Sequence, residues 1–315
     1  MKATYLIKGL VKSIPGIERF YQFHTSTGGT NNARYCYSAW LRHLCIAYEK
    51  GMTEVPETIA EFGPGDSLGI GLAALLSGSK KYYGLDIVRY SNTAKDLEVF
   101  EALVVLFRQK APIPDGEAFP GIRPLLNSYD FPSHIFSDEQ LSLLLNEERL
   151  AAIKHAIQHT YDDTQKDKMI TFIVPWYDEN IIANNSIDFI FSQAVLEHVD
   201  NLDQIFSHMY QWIKPGGMIS HEIDFGSMGS ASTWYGHWEY SDLEWKILKG
   251  RKLFYINREP CSTYLDLLKK YSFQLVAEQR TEAVPVSNQQ QLALKFRTLS
   301  TEDLTTKNAF LQAIK

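Results

Sequence analysis

Cysteine is scarce in this chain: Cys36, Cys45 and Cys261 are the three in 315 residues. Their spacing makes neither a disulfide framework nor a metal-ligand pattern, so no metal is expected and a reducing compartment is. Positive charge is also short. Lys and Arg total 31 against 37 Asp and Glu, for a net charge of -6, which speaks against a surface built for nucleic acid. No apolar run approaches the roughly 20 residues of a membrane-spanning helix. The first eleven residues are broken by Lys2 and Lys8 and hold no signal-peptide core or cleavage site, so a cytoplasmic location is expected. Internal repeats and low-complexity tracts are missing too. What remains, 45% hydrophobic and 22% charged, is ordinary for a globular protein of one large domain or one domain with an insertion.

The most informative stretch is Glu61-Phe62-Gly63-Pro64-Gly65-Asp66-Ser67-Leu68-Gly69. An apolar, β-branched segment (58–60) precedes it and an apolar run of good helix formers (70–76) follows, with Gly78 placed to end the helix. Strand, glycine turn and helix in this order let a ligand approach bare backbone, and aim the helix N-terminus at it. Tyr82-Tyr83-Gly84-Leu85-Asp86 reads as a second strand ending in a carboxylate, near the distance at which dinucleotide folds place their ribose-binding acid. The full fingerprint G-x-G-x-x-G fails, because Leu68 stands where its last glycine belongs.

Elsewhere, Asn31 or Asn32 caps an expected helix to about residue 50, with Tyr37, Trp40, Leu41, Leu44 and Tyr48 along one face. Before it, residues 5–30 are rich in apolar and aromatic residues and end in a loop. A long interval, 91–168, separates the second strand from the third. It holds a helix over 97–108, a proline-rich loop, and a second helix opened by a Ser137/Gln140 capping box; we expect an insertion over the active face. Strands follow over 169–174, 186–192 and 218–224, with an amphipathic helix from Leu202 to Ile213. The tail adds a helix, a strand and a last strand. The alternation predicts an α/β fold with a mostly parallel sheet covered on both faces. His155 and His159, four apart without a third ligand nearby, read as surface or core histidines.

Five motifs in order, Glu61-Phe62-Gly63-Pro64-Gly65, Gly84-Leu85-Asp86, Ile187-Asp188-Phe189-Ile190, Leu196-Glu197-His198-Val199 and Lys214-Pro215-Gly216-Gly217, resemble the class I S-adenosylmethionine-dependent methyltransferases of the type 11 kind. The resemblance covers residues 55–90 and 165–225. It implies a Rossmann-like seven-stranded sheet with an antiparallel last strand, an N-terminal helical segment over 1–54, and a catalytic domain over 55–315 interrupted at about 91–168. It implies S-adenosylmethionine as cofactor, with Gly63, Pro64 and Gly65 against its methionine part, Glu61 beside them, Asp86 on both ribose hydroxyls and Ile87 on adenine. Trp176 would cover the other face of the ring, and Gln193 would offer groups near the sulfonium. Two departures stand out: Ser67 replaces a glycine frequent in the family, and Pro175-Trp176-Tyr177 follows the third strand where an acid is common, with Asp178 as a substitute.

The expected reaction is methyl transfer to a small molecule or glycan, at oxygen, by in-line displacement, with the rate coming from proximity and orientation. A hydroxyl acceptor needs a base. His198, just past the fourth strand, and Asp224, at the end of the fifth, are the candidates. Glycines and aromatics after the fifth strand (Gly226, Gly229, Trp234, Tyr235, Trp238) suit the wall of an acceptor pocket. Two other classes stay open: a cofactor-binding module without catalysis, and a nicotinamide-dependent oxidoreductase.

Overall fold

The computed structural model describes Tyr5, 29–162, 168–250, Lys252, 255–286 and 288–315. The aromatic stretch expected over 5–30 lies, apart from Tyr5, Gly29 and Thr30, outside the described residues.

The described chain begins with helix α1, Ala33–Glu49, capped by the Asn32 side chain, which accepts from the Arg34 N–H. The expected one-sided stripe understates its burial. Every residue from Cys36 to Ala47 is buried, Ser38, Arg42 and His43 included. The reason lies on its far side, where the proline-rich loop of the long interval covers it. The Arg42 guanidinium donates to the carbonyls of Pro114 (2.8 Å) and Pro124 (2.7 Å), and its Nε donates to Ser38 Oγ (2.9 Å). Tyr37 Oη donates to the Ala111 carbonyl. Buried charge is tolerated here because each guanidinium nitrogen has an acceptor.

Seven strands form one sheet: β1 Thr58–Phe62, β2 Lys81–Leu85, β3 Ile170–Ile173, β4 Ile187–Gln193, β5 Ile213–Asp224, β6 Gln274–Glu282 and β7 Thr306–Ile314, in the order β3-β2-β1-β4-β5-β7-β6. Strands β1 to β5 pair parallel, and β7 runs antiparallel to both its neighbours. The expected fold class is therefore the observed one. The order reverses between β1 and β4, and ligands of open α/β sheets lie beyond the strand ends at such a reversal.

Alternation along the strands sends residues to two apolar layers. Ile59, Phe189 and Phe191 face a layer built on α1, α2 (Gly69–Ser77), α3 (Thr93–Arg108) and α5 (Glu147–Gln158). Ala60, Phe62 and Ile190 face one built on α6 (Leu202–Trp212) and α7 (Cys261–Lys270). Most buried residues of the long interval thus join α1 and α2 on one face. The helix expected to run on from Ser137 is two: α4, Asp138–Leu144, has the capping box, and Asn146 then caps α5. The strand expected from Met218 begins at Ile213, where Ile213 pairs with Ile187 ahead of a register shift.

The aromatics after β5 take a different place from the expected pocket wall. Trp238 is fully buried in a cluster with Leu292, Phe296 and Leu304, and Trp234 Nε1 donates to the Val284 carbonyl. They pack on the segment between β6 and β7, since three large rings there bury more apolar surface than an open rim allows.

Candidate active site at the strand ends

The turn after β1 has Gly63 at φ +65° and Gly65 at φ +75°, a backbone region that side chains with Cβ avoid. The Gly63 N–H donates to the Leu85 carbonyl (2.8 Å), tying the turn to β2. Asp86 lies beside it. Its Oδ1 accepts from the N–H groups of Ile87 (2.7 Å) and Val88 (3.2 Å). Burial raises its pKa and these amides oppose the rise. The structure thus brings Gly63, Pro64, Gly65, Asp86 and Ile87 together at one edge.

The amino end of α2 departs from expectation. The N–H groups that lead into it are taken up inside the protein. The Leu68 N–H donates to Asp96 Oδ1 (2.9 Å), Gly69 N–H to Ser67 Oγ (3.1 Å) and Ser67 N–H to Thr30 Oγ1 (3.1 Å). Ser67 Oγ also donates to the Thr30 carbonyl. This explains the serine at a position where glycine is frequent: its hydroxyl fastens the turn to the segment before α1. Asp96 is fully buried and accepts from Tyr161 Oη (2.9 Å); burial lifts its pKa to about 6.

Glu61, Trp176 and Asp178 each have partners within the protein. Glu61 is buried, and its Oε2 accepts from Tyr82 Oη (2.6 Å); burial pushes its pKa up to about 8. This bond braces the end of β1 against β2. Trp176 is also interior. Its ring meets Phe62 edge-on at 5.1 Å and His208 at 6.5 Å, because an indole following a strand buries more area inward than over a rim. Asp178 is exposed and caps the turn Glu179–Ile181 through the Asn180 N–H.

Gln193 ends β4 and is held from α1. His43, fully buried, bonds Ser220 Oγ through Nδ1 (2.6 Å) and Gln193 Oε1 through Nε2 (3.0 Å). An amide oxygen only accepts, so Nε2 has the proton and Nδ1 accepts from the Ser220 hydroxyl. Gln312 Nε2 in turn donates to Ser220 Oγ (3.0 Å). The chain of donors runs one way and leaves the Gln193 amide nitrogen as its unused end. Burial lowers the His43 pKa to about 4, so the ring stays neutral.

Past β4, Ala194 takes φ +54° with its N–H on the Glu222 carbonyl (3.0 Å). The turn Leu196–His198 follows. Burial depresses the His198 pKa to about 4, which makes it a weak base. Asp224 is half-buried, its Oδ1 accepts from the Gly226 N–H (2.7 Å), and burial raises its pKa. Two carboxyls join it that no role was expected for. Glu197 and Glu222 are 2% and 3% exposed. Burial drives the Glu197 pKa well up and that of Glu222 to about 8, each aided by carboxyl neighbours in the same group. The one signal for Glu197 in the sequence is a charge inside the apolar run Ala194-Val195-Leu196-Glu197-His198-Val199.

Among the described residues no three His, Cys, Asp or Glu side chains are arranged to hold a metal ion. His155 and His159 stack at 4.1 Å on the outside of α5. No described helix is long and apolar enough to cross a membrane.

The methyltransferase-domain family matches residues 47–277. No curated protein matches the sequence. Among solved structures, the chain is similar to phosphoethanolamine N-methyltransferase 2 of Haemonchus contortus with S-adenosyl-L-methionine, at 15% identity and TM-score 0.41, over 90% of this chain and 56% of that one. The chain therefore spans little more than half of that relative. It is also similar to S-adenosylmethionine-dependent methyltransferases of Mesorhizobium loti (14% identity, TM-score 0.43, 86% of this chain and 96% of the other) and of Methanosarcina mazei (14%, 0.44, 86% and 96%).

Proposed function

Because the chain belongs to the methyltransferase-domain family and is an enzyme dependent on S-adenosylmethionine, we propose that it transfers the cofactor's methyl group to a small-molecule acceptor bound beyond β4 and β5. The cofactor would lie along the turn of Gly63, Pro64 and Gly65. Asp86 would accept from its ribose hydroxyls, Ile87 would pack on adenine, and the Gln193 amide nitrogen would donate near the methionine end.

The observation that supports this most is the closed amino end of α2. A dinucleotide fold needs those N–H groups for a pyrophosphate. Here Asp96 takes the Leu68 N–H, Ser67 that of Gly69 and Thr30 that of Ser67, so these donors are not free for a diphosphate. A nucleoside with a sulfonium and an amino acid end has no such group to place. This disfavours the nicotinamide reading on grounds independent of Leu68.

The bound cofactor supplies an electrophilic methyl carbon. The protein's part is to orient that carbon, exclude water and present the acceptor in line. An oxygen acceptor would need its proton removed, and His198, held at about 4, is poorly matched to that task near neutral pH.

The test is calorimetry with S-adenosylmethionine, S-adenosylhomocysteine and NAD. We expect the first two to bind at one site per chain and NAD to give no heat. Tight NAD binding, or none by the sulfur nucleosides, would refute the assignment.

A further inference from the structure

Beyond the proposed methyl position, Glu197, Glu222 and Asp224 converge from the turn after β4 and from the end of β5. Glu222 pairs with Gln193 across the sheet, so the group starts one strand over from the proposed cofactor. Asn308 Nδ2 stands 3.4 Å from Glu222 Oε1. Among the described residues neither oxygen of Glu197 has a well-formed hydrogen bond. The main-chain N–H groups of its own residue and of Asp224 offset the effect of its burial only in part. The cations felt by the group are Arg123, toward Glu222, and Lys307, toward Asp224. Arg123 is engaged elsewhere, with Nε donating to Thr281 Oγ1. Tyr35, half-buried with its ring against Phe119, is influenced by Glu222, Glu61 and Glu197 alike.

A buried carboxyl without a partner is costly and persists where something else demands it. We propose that Glu197, Glu222 and Asp224 form the acceptor site, and that the acceptor is an amine, bound as its ammonium ion and methylated on nitrogen. This rests on the methyltransferase reading of the same site.

Charge flow decides between nitrogen and oxygen. As methyl leaves sulfur for a neutral amine, positive charge moves from sulfur to nitrogen, toward the carboxyls, and they stabilise it increasingly along the path. An alkoxide forming in the same place would face like charge, and its proton would be harder to remove. The steps balance. The bound ammonium, as counter-charge, holds the Glu197 carboxyl ionised against its burial and then gives it one proton. The freed nitrogen pair attacks the methyl carbon, the sulfur–carbon bond breaks, and its electron pair stays on sulfur. The products are S-adenosylhomocysteine and an N-methylammonium ion.

The experiment supplies the protein with methyl-labelled S-adenosylmethionine and a metabolite extract, then passes the products over a cation exchanger at acid pH. Cofactor binding is measured separately by calorimetry. We expect the label to be retained as a methylated amine. In Glu197→Gln the acceptor kcat/KM should fall about tenfold or more, with cofactor affinity within about twofold of the parent. If Glu197→Gln fails to fold, Glu222→Gln and Asp224→Asn are expected to shift the same quantity. Label in neutral or acidic products, or acceptor kinetics unmoved by all three variants, overturns the amine. Cofactor binding with no label transferred to any fraction overturns it also. Failure to bind the cofactor at all defeats the underlying methyltransferase reading instead.

Discussion

Replacing Gly63 with alanine tests how tightly the turn after β1 is coupled to the loop after β4. Gly63 sits at φ +65°, where an L-residue costs about 1–2 kcal/mol. Its added Cβ would stand 2.6 Å from Val195 Cγ2 and 2.9 Å from Cγ1. Carbon pairs settle near 3.5–4.0 Å, so one side must move. Retreat of Gly63 stretches its bond to Leu85 (2.8 Å), and retreat of Val195 pulls on Ala194, whose N–H is fixed to Glu222. Overpacking of this kind costs about 1–3 kcal/mol. The two terms give about 2–5 kcal/mol in all, a large share of the roughly 5–15 kcal/mol that holds a domain together. Urea unfolding followed by fluorescence of the six tryptophans reads the loss. Val195→Ala removes both clashing carbons, so adding it to Gly63→Ala should restore the packing part and leave the backbone part. A double-mutant cycle then yields a coupling of about 1–3 kcal/mol. Gly63→Ala within about 0.5 kcal/mol of the parent, or a cycle with zero coupling, would refute the reasoning.

Three further outcomes are expected. Asp86→Ala should weaken S-adenosylmethionine binding, each lost bond from a ribose hydroxyl to the carboxylate being worth about 1.5–3 kcal/mol; calorimetry showing unchanged affinity removes the ribose assignment. Glu61 has a folded pKa of about 8 against an ordinary 4.5. The folded state therefore holds its proton more tightly, and this group's contribution is full below 4.5 and lost as pH rises through 8, with a slope of up to about 1.4 kcal/mol per pH unit. Glu61→Gln should flatten the decline of Tm across that window, and an unchanged slope would show that other groups cause it. Nitrogen NMR of His43 should find the Nε2-protonated tautomer with no titration down to about pH 5, given a pKa of about 4; an Nδ1 proton would reverse the donor chain that orients Gln193.

The succession of strands and helices, the two covered faces and the position of the glycine turn could all be read along the chain, because each depends on local periodicity and on residues whose backbone preferences act where they stand. So could the adjacency of Asp86 to the turn, which follows from two neighbouring parallel strands ending together. Other features required three dimensions. Nothing in the stripe of α1 foretold that Arg42 would be wrapped by carbonyls from Pro114 and Pro124, 72 and 82 residues away. Glu61 and Trp176 stand at positions that suit a ligand, and both turn inward because Tyr82 and Phe62 offer them partners there. The meeting of Glu197 with Glu222 and Asp224 depends on where β4 ends beside β5. Periodicity tells a residue which face it belongs to. Which charges share one pocket is decided by the sheet that brings distant strands side by side.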